Sequence, residues 1–177
     1  MRVLIYGLPG SGKTFLAERL FTLLKGYKAC AWFDADQVRK DSNDWDFSDA
    51  GRMRQVERMK YLCTLAEGEH KIAIASFVAP TPFIRDVFGA DVEIWMNTVP
   101  FSCSANSEDP AEGSTWDETD DMFQGDYSSD WVITNKNYED EWVDARTAAL
   151  LIKERMQRQE FKEFYNYLEK AHEDFNG

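Results

Sequence analysis

The sequence predicts an α/β fold, a parallel five-stranded sheet flanked by helices, on three observations. Short apolar segments alternate along the chain with longer helical patterns. The strand segments are apolar at consecutive positions, the pattern of strands covered on both faces. The first strand and first helix are joined by Gly7-Leu8-Pro9-Gly10-Ser11-Gly12-Lys13-Thr14, which has the form G-x-x-x-x-G-K-T of a phosphate-binding loop.

The elements follow in order. Val3–Tyr6 is the first strand, and Phe15–Leu24 follows the loop as a helix with one apolar face. Ala29–Phe33 is a second strand and Arg52–Ala66 a helix. Ile72–Phe77 is the third strand, Pro82–Phe88 a short helix, Val92–Met96 the fourth strand and Trp131–Thr134 the fifth. Right-handed crossovers would place the phosphate loop and the other strand ends along one edge. Residues 100–129 are polar, rich in Ser, Asp and Glu, and too long for an ordinary connection, so they read as a lid segment. From Glu139 to about 174 the pattern is a helical tail, with Val143, Ala149, Leu150, Ile152, Met156, Phe161, Phe164 and Leu168 as an intermittent apolar stripe. There is no internal repeat, and one domain over 1–177 accommodates every element.

Composition narrows the setting. Apolar residues make up 44% of the chain and aromatic residues 14%, which suits a folded core. No long apolar run suggests a membrane span, and the first strand leads directly into the phosphate loop, so no cleaved leader is expected. Cys30, Cys63 and Cys103 are scattered and lack C-x-x-C spacing, reading as buried thiols in a reducing, cytoplasmic setting. The net charge of -12 disfavours a nucleic-acid partner. No Lys or Arg lies between Arg85 and Lys136, while Glu108, Asp109, Glu112, Asp117, Glu118, Asp120, Asp121, Asp126 and Asp130 crowd that interval.

The phosphate loop carries its own chemistry. Gly7, Gly10 and Gly12 let backbone N–H groups approach a β-phosphate, and the following helix adds its positive dipole end. Pro9 and Ser11 complete the nucleotide-binding set. Lys13 reaches the β/γ-phosphates, and Thr14 offers a hydroxyl to Mg²⁺. Past the second strand, Asp34 and Asp36 place two carboxylates where they can serve Mg²⁺ or orient an acceptor hydroxyl. Which does which is open, and a turn that caps the next helix is the plainer alternative. Lys13, Asp34 and Asp36 are the candidate catalytic residues, and Thr14, Asp34 and Asp36 the candidate metal ligands.

Four blocks, in order, resemble those of the adenylylsulfate kinases. The phosphate loop is similar to G-L-S-G-S-G-K-S. Asp34-Ala35-Asp36-Gln37-Val38-Arg39 resembles D-G-D-N-V-R. Asp46-Phe47-Ser48-Asp49-Ala50-Gly51-Arg52-Met53-Arg54-Gln55-Val56-Glu57-Arg58 resembles G-F-S-x-x-D-R-x-E-N-I-R-R, and Ser76-Phe77-Val78-Ala79-Pro80 resembles S-F-I-S-P. The resemblance implies ATP as donor, the ribose 3′-hydroxyl of adenosine 5′-phosphosulfate as acceptor, and a homodimer. It implies that Phe47 stacks on the acceptor adenine, that Phe123, in a faint match to the lid motif F-T-G-I, covers the other face, and that Arg39 and Arg52 hold the phosphosulfate. Gln55 and Phe77 join the substrate-binding set.

The departures define the alternatives. Gln55 replaces an asparagine, and Ala79 replaces a serine that is phosphorylated in some members. A basic D-P-K-G-L-Y-K-K lid stretch becomes the acidic Glu108-Asp109-Pro110-Ala111-Glu112-Gly113-Ser114-Thr115-Trp116. Carboxylates there would repel a phosphosulfate, which favours another alcohol acceptor: a nucleotide or a hydroxymethylated pyrimidine, with a DNA-borne one disfavoured by the net charge. A nucleotide-binding module without transfer is the third reading. Its guanine-reading N-K-x-D would fall at Asn135-Lys136-Asn137-Tyr138, where tyrosine replaces the decisive aspartate.

Overall fold

Arg2–Tyr6 (β1) is buried along its whole length, because Val3 and Ile5 face one side of the sheet while Leu4 and Tyr6 face the other. The computed structural model describes residues 1–103, 114–135 and 142–176. Cys30–Asp34 (β2), Ile72–Phe77 (β3), Val92–Met96 (β4) and Trp131–Ile133 (β5) join β1 in one parallel sheet of order β2-β3-β1-β4-β5. The register pairs Tyr6 with Phe77 and Trp95, and Asp34 with Ser76. The carboxyl ends of β1, β2 and β3 therefore lie side by side.

Two apolar layers cover the sheet. Lys13–Leu24 (α1) and Val143–Asn176 (α6) bury Leu16, Ala17, Leu20, Leu24, Ala145, Ala148, Ile152 and Met156 against Val3, Ile5, Ile74 and Ile94. On the opposite face, Asp49–Gly68 (α3) and Pro82–Phe88 (α4) bury Val56, Met59, Cys63, Ala66, Ile84 and Phe88 against Leu4, Tyr6, Ala73 and Ala75. Ser48 caps α3 by accepting from the Gly51 amide, so the helix starts three residues before the apolar pattern does. Thr81 caps α4 in the same way through Ile84, and Gly89 closes it with φ +67.

Two helices depart from the sequence reading. Ala35–Ser42 (α2) begins directly after β2, so the aspartates sit on a strand end and a helix's first turn, with no intervening loop. Ser114–Met122 (α5) lies inside the 100–129 segment read as a lid; residues 104–113 of that segment fall outside the described ones. So does much of the acidic stretch, while Pro100–Cys103 and Phe123–Ser129 are described. The helical tail is found as α6, with 136–141 before it not described. The three cysteines are free thiols, Cys63 and Cys103 buried and Cys30 half-buried. Among the described residues, no helix is long and apolar enough to cross a membrane.

Candidate active site

The phosphate loop turns between β1 and α1. Gly12 stands at the helix entry with φ +95, and Gly10 has φ +81. A Cβ at Gly10 would lie 2.3 Å from Cys103 Sγ and 2.5 Å from its carbonyl oxygen, so only glycine fits. The Cys103 amide donates to the Pro9 carbonyl at 3.1 Å and Thr98 Oγ1 to the Ser11 carbonyl at 2.7 Å, bracing the loop from outside. Ser11 is fully buried, and its Oγ has no hydrogen-bond partner.

Lys13 Nζ donates to the Leu8 carbonyl at 2.8 Å, folded back onto the loop. Desolvation pulls its ammonium from 10.5 down to about 8, against the opposing pull of Asp36 and Asp34. A bound polyphosphate would add to the counter-charge that these two carboxylates supply.

Asp34 connects the loop to the second site. Its Oδ2 accepts from Thr14 Oγ1 at 3.1 Å and from Ser76 Oγ at 3.0 Å. Its Oδ1 accepts the Asp36 and Gln37 amides, so it also caps α2. One oxygen of this aspartate thus caps the helix while the other faces Thr14 and Ser76. Asp36, in the first turn of α2, has its carboxyl pushed above the usual range by burial and then by the Asp34 charge, with Lys13 and Arg39 opposing. Thr14, Asp34 and Asp36 offer hard oxygen donors suited to Mg²⁺. Among the described residues no group of three or more His, Cys, Asp or Glu side chains could hold a metal. A cation held here would complete its shell with phosphate and water oxygens, as Mg²⁺ commonly does.

The candidate acceptor residues begin in the last turn of α2, at Arg39, and continue past it. Arg39 is buried, donates from NH1 to the Asp44 and Asp46 carbonyls at 3.0 Å each, and stacks with its Cζ 4.6 Å from the Phe47 ring centroid. Arg52, also buried, donates from Nε to the Phe47 carbonyl at 2.9 Å and from NH2 to Thr119 Oγ1 at 3.0 Å. Both guanidiniums have lowered pKa values, desolvation being the first cause. Much of their donor capacity goes into shaping the Asp44–Phe47 loop, a role the motif does not reveal. Gln55 is enclosed, donating to the Ala35 carbonyl at 3.1 Å and accepting from Arg58 at 2.7 Å. Asp44 accepts from both Arg54 and Arg58, which holds its carboxyl well below the usual range.

Phe77 is buried edge-on against Phe88, with ring centroids 5.2 Å apart, so it is packed in the core. Phe123 is half-buried between Tyr6 and Trp95, at 6.4 and 6.3 Å, and the Gln124 amide bonds the Pro80 carbonyl at 2.7 Å. It is thereby fixed beside the turn that follows β3. Phe47 is instead 6.4 Å from Trp45.

Residues 1–107 match the family model for adenylylsulphate kinase, and the match stops where the acidic stretch begins. A probable adenylyl-sulfate kinase of Aeropyrum pernix is 36% identical over 94 residues, 51% of this chain and 51% of that protein. An adenylyl-sulfate kinase of Marinobacter nauticus is 31% identical over 113 residues, 59% of this chain and 55% of that protein. The chain thus spans about half the length of the curated relatives it matches. The solved APS kinase of Mycobacterium tuberculosis, in complex with AMPPNP and APS, shares the fold with a TM-score of 0.66, covering 86% of this chain and 96% of that one at 18% identity.

Proposed function

The chain belongs to the adenylylsulphate kinase family, and we propose that it transfers the γ-phosphoryl group of ATP to the 3′-hydroxyl of adenosine 5′-phosphosulfate. The observation that carries this reading is the 3.1 Å bond from Thr14 Oγ1 to Asp34, which joins the phosphate loop to the carboxylate pair at the β2–α2 junction. Donor and acceptor sites would meet at that junction.

In this proposal Lys13 leaves the Leu8 carbonyl to pair with the β/γ-phosphates, which offsets the desolvation of its ammonium. Asp36 takes the proton of the acceptor hydroxyl as that oxygen attacks the γ-phosphorus in line and ADP departs. Its raised pKa suits a base, since proton affinity rises with it. Bound Mg²⁺, ligated by Thr14 with Asp34 behind it, would neutralise developing phosphate charge. Phe47, stiffened by Arg39 stacking, offers a face for the acceptor adenine, and Phe123 is the candidate for the other face. Arg39 and Arg52 direct their remaining N–H groups at the phosphosulfate. The 100–129 segment would act as a lid that excludes water, and the assembly would be a homodimer working in the cytoplasm.

One observation favours a second reading, an acceptor alcohol less anionic than adenylylsulfate. The helix α5 carries Asp117, Glu118, Asp120 and Asp121, and Glu118 acts electrostatically on Arg52. A like-charged wall at that arginine would penalise a phosphosulfate. Incubating the protein with [γ-³²P]ATP and Mg²⁺ against adenylylsulfate, nucleosides, nucleotides and hydroxymethylated DNA tests both. Label on adenylylsulfate supports the first reading; label only on another acceptor selects the second.

A further inference from the structure

We infer that Ser76 and Trp32 are positioning residues for Asp34, and that through it they set how strongly Mg²⁺ and nucleotide reinforce each other's binding at Thr14. The inference rests on the kinase reading above. An indole N–H only donates, and Trp32 Nε1 lies 3.0 Å from Ser76 Oγ. Ser76 therefore accepts at that contact and has one proton left to give. That proton goes to Asp34 Oδ2, 3.0 Å away. The same carboxylate oxygen receives the Thr14 hydroxyl at 3.1 Å, while Oδ1 is occupied by two backbone amides.

Every bond in this chain has a single direction: Trp32 to Ser76, Ser76 to Asp34, Thr14 to Asp34. With its proton committed to Asp34, the Thr14 oxygen keeps its lone pairs for an electropositive ligand. Remove the Trp32 donor and the Ser76 hydroxyl can turn away. Remove the Ser76 proton and Asp34 is held on that side by Thr14 alone, so the carboxylate can swing away and leave the Thr14 hydroxyl free to turn. Ser76 is 2% exposed on β3, directly across from Asp34 in the ladder, so no solvent hydroxyl can replace it without opening the strand. Partners that tie down a ligand's unligated side typically matter to metal affinity by ~10-fold or more.

The test is calorimetric titration of the full chain with ATP, once in excess EDTA and once in excess Mg²⁺. Wild type, Ser76→Ala, Ser76→Thr and Trp32→Phe are compared. Expected are EDTA affinities within about twofold of wild type, with the gain in affinity on adding Mg²⁺ reduced ~10-fold in Ser76→Ala and also reduced in Trp32→Phe. Ser76→Thr, which keeps the hydroxyl, should restore the gain. An unchanged Mg²⁺ gain in the folded variants overturns the inference. So does an equal loss with and without Mg²⁺, which would mean the pair only supports the strand. If Ser76→Ala fails to fold, Trp32→Phe, which removes the N–H but keeps an aromatic ring, decides alone. Because the readout is binding, a protein that transfers no phosphate would refute the kinase reading without touching this result.

Discussion

Lys13 should destabilise the nucleotide-free protein, and Lys13→Met should make that protein more stable near neutral pH. Its ammonium falls from 10.5 to about 8 on folding, chiefly through desolvation. Below pH 8 the lysine is charged in both states, and the folded state bears the full penalty, roughly 3 kcal/mol at about 1.4 kcal/mol per pKa unit. Methionine keeps much of the apolar stem but loses the hydrogen bond to the Leu8 carbonyl, worth about 1–2 kcal/mol. The net expectation is a gain of about 1–2 kcal/mol at pH 7. Between pH 8 and 10.5 the unfolded chain binds the extra proton, so wild-type stability rises and the advantage of the variant shrinks. By pH 10 only about 1 kcal/mol of penalty remains, and the variant should be level or slightly worse. Urea denaturation in EDTA at pH 7 and pH 10 measures this. With MgATP added the order should reverse, since wild type gains binding stabilisation and the variant should not. Equal destabilisation of Lys13→Met at both pH values would refute the desolvation argument.

Three further outcomes follow from the same geometry. Asp36→Asn should leave ATP affinity within about twofold while kcat falls ~100-fold or more, the usual scale of a lost general base; an unchanged kcat in steady-state assays removes Asp36 from proton transfer. Phe47→Ala should raise the KM for adenylylsulfate ~10-fold with the KM for ATP unchanged, because only the acceptor base would lie on that ring. At Gly125 an added Cβ would lie 1.9 Å from the Trp95 ring, so Gly125→Ala should cost about 1–3 kcal/mol in thermal or urea unfolding and loosen the Phe123 segment.

The sheet was legible because its parallel strands, buried in β1, β3 and most of β4 and half-buried at the edges β2 and β5, write themselves as largely apolar runs, and each strand candidate falls within a residue of its observed bounds. The helices α2 and α5 were not legible. Ala35–Ser42 buries only Val38 and Arg39, so it has no apolar stripe, and its start is fixed by the Asp34 cap. The polar Ser114–Met122 is tied in by distant partners: Thr119 bonds Arg52 of α3, and Asp120 accepts the amide and hydroxyl of Ser102. In the site, the nearness of Thr14, Asp34 and Asp36 was readable from the motifs. The part played by Ser76 was not, since its partners Trp32 and Asp34 are separated from it by 44 and 42 residues. Its signals were its place at the head of the Ser76–Pro80 block and a hydroxyl in the otherwise apolar run Ile72–Phe77, neither of which names its partners. The placement of Phe77 against Phe88 could not be read either, because a motif position does not say which face of a strand end a ring takes.

The most direct test of the proposed activity is a single competition assay. The full chain, [γ-³²P]ATP and Mg²⁺ are mixed with equimolar adenylylsulfate, adenosine 5′-phosphate and a hydroxymethylated pyrimidine nucleotide, and the labelled products are separated. Label should fall predominantly on adenylylsulfate, at the 3′-position, and its rate of appearance should drop ~100-fold or more with Asp36→Asn. Label on another acceptor with adenylylsulfate untouched would contradict the proposed activity.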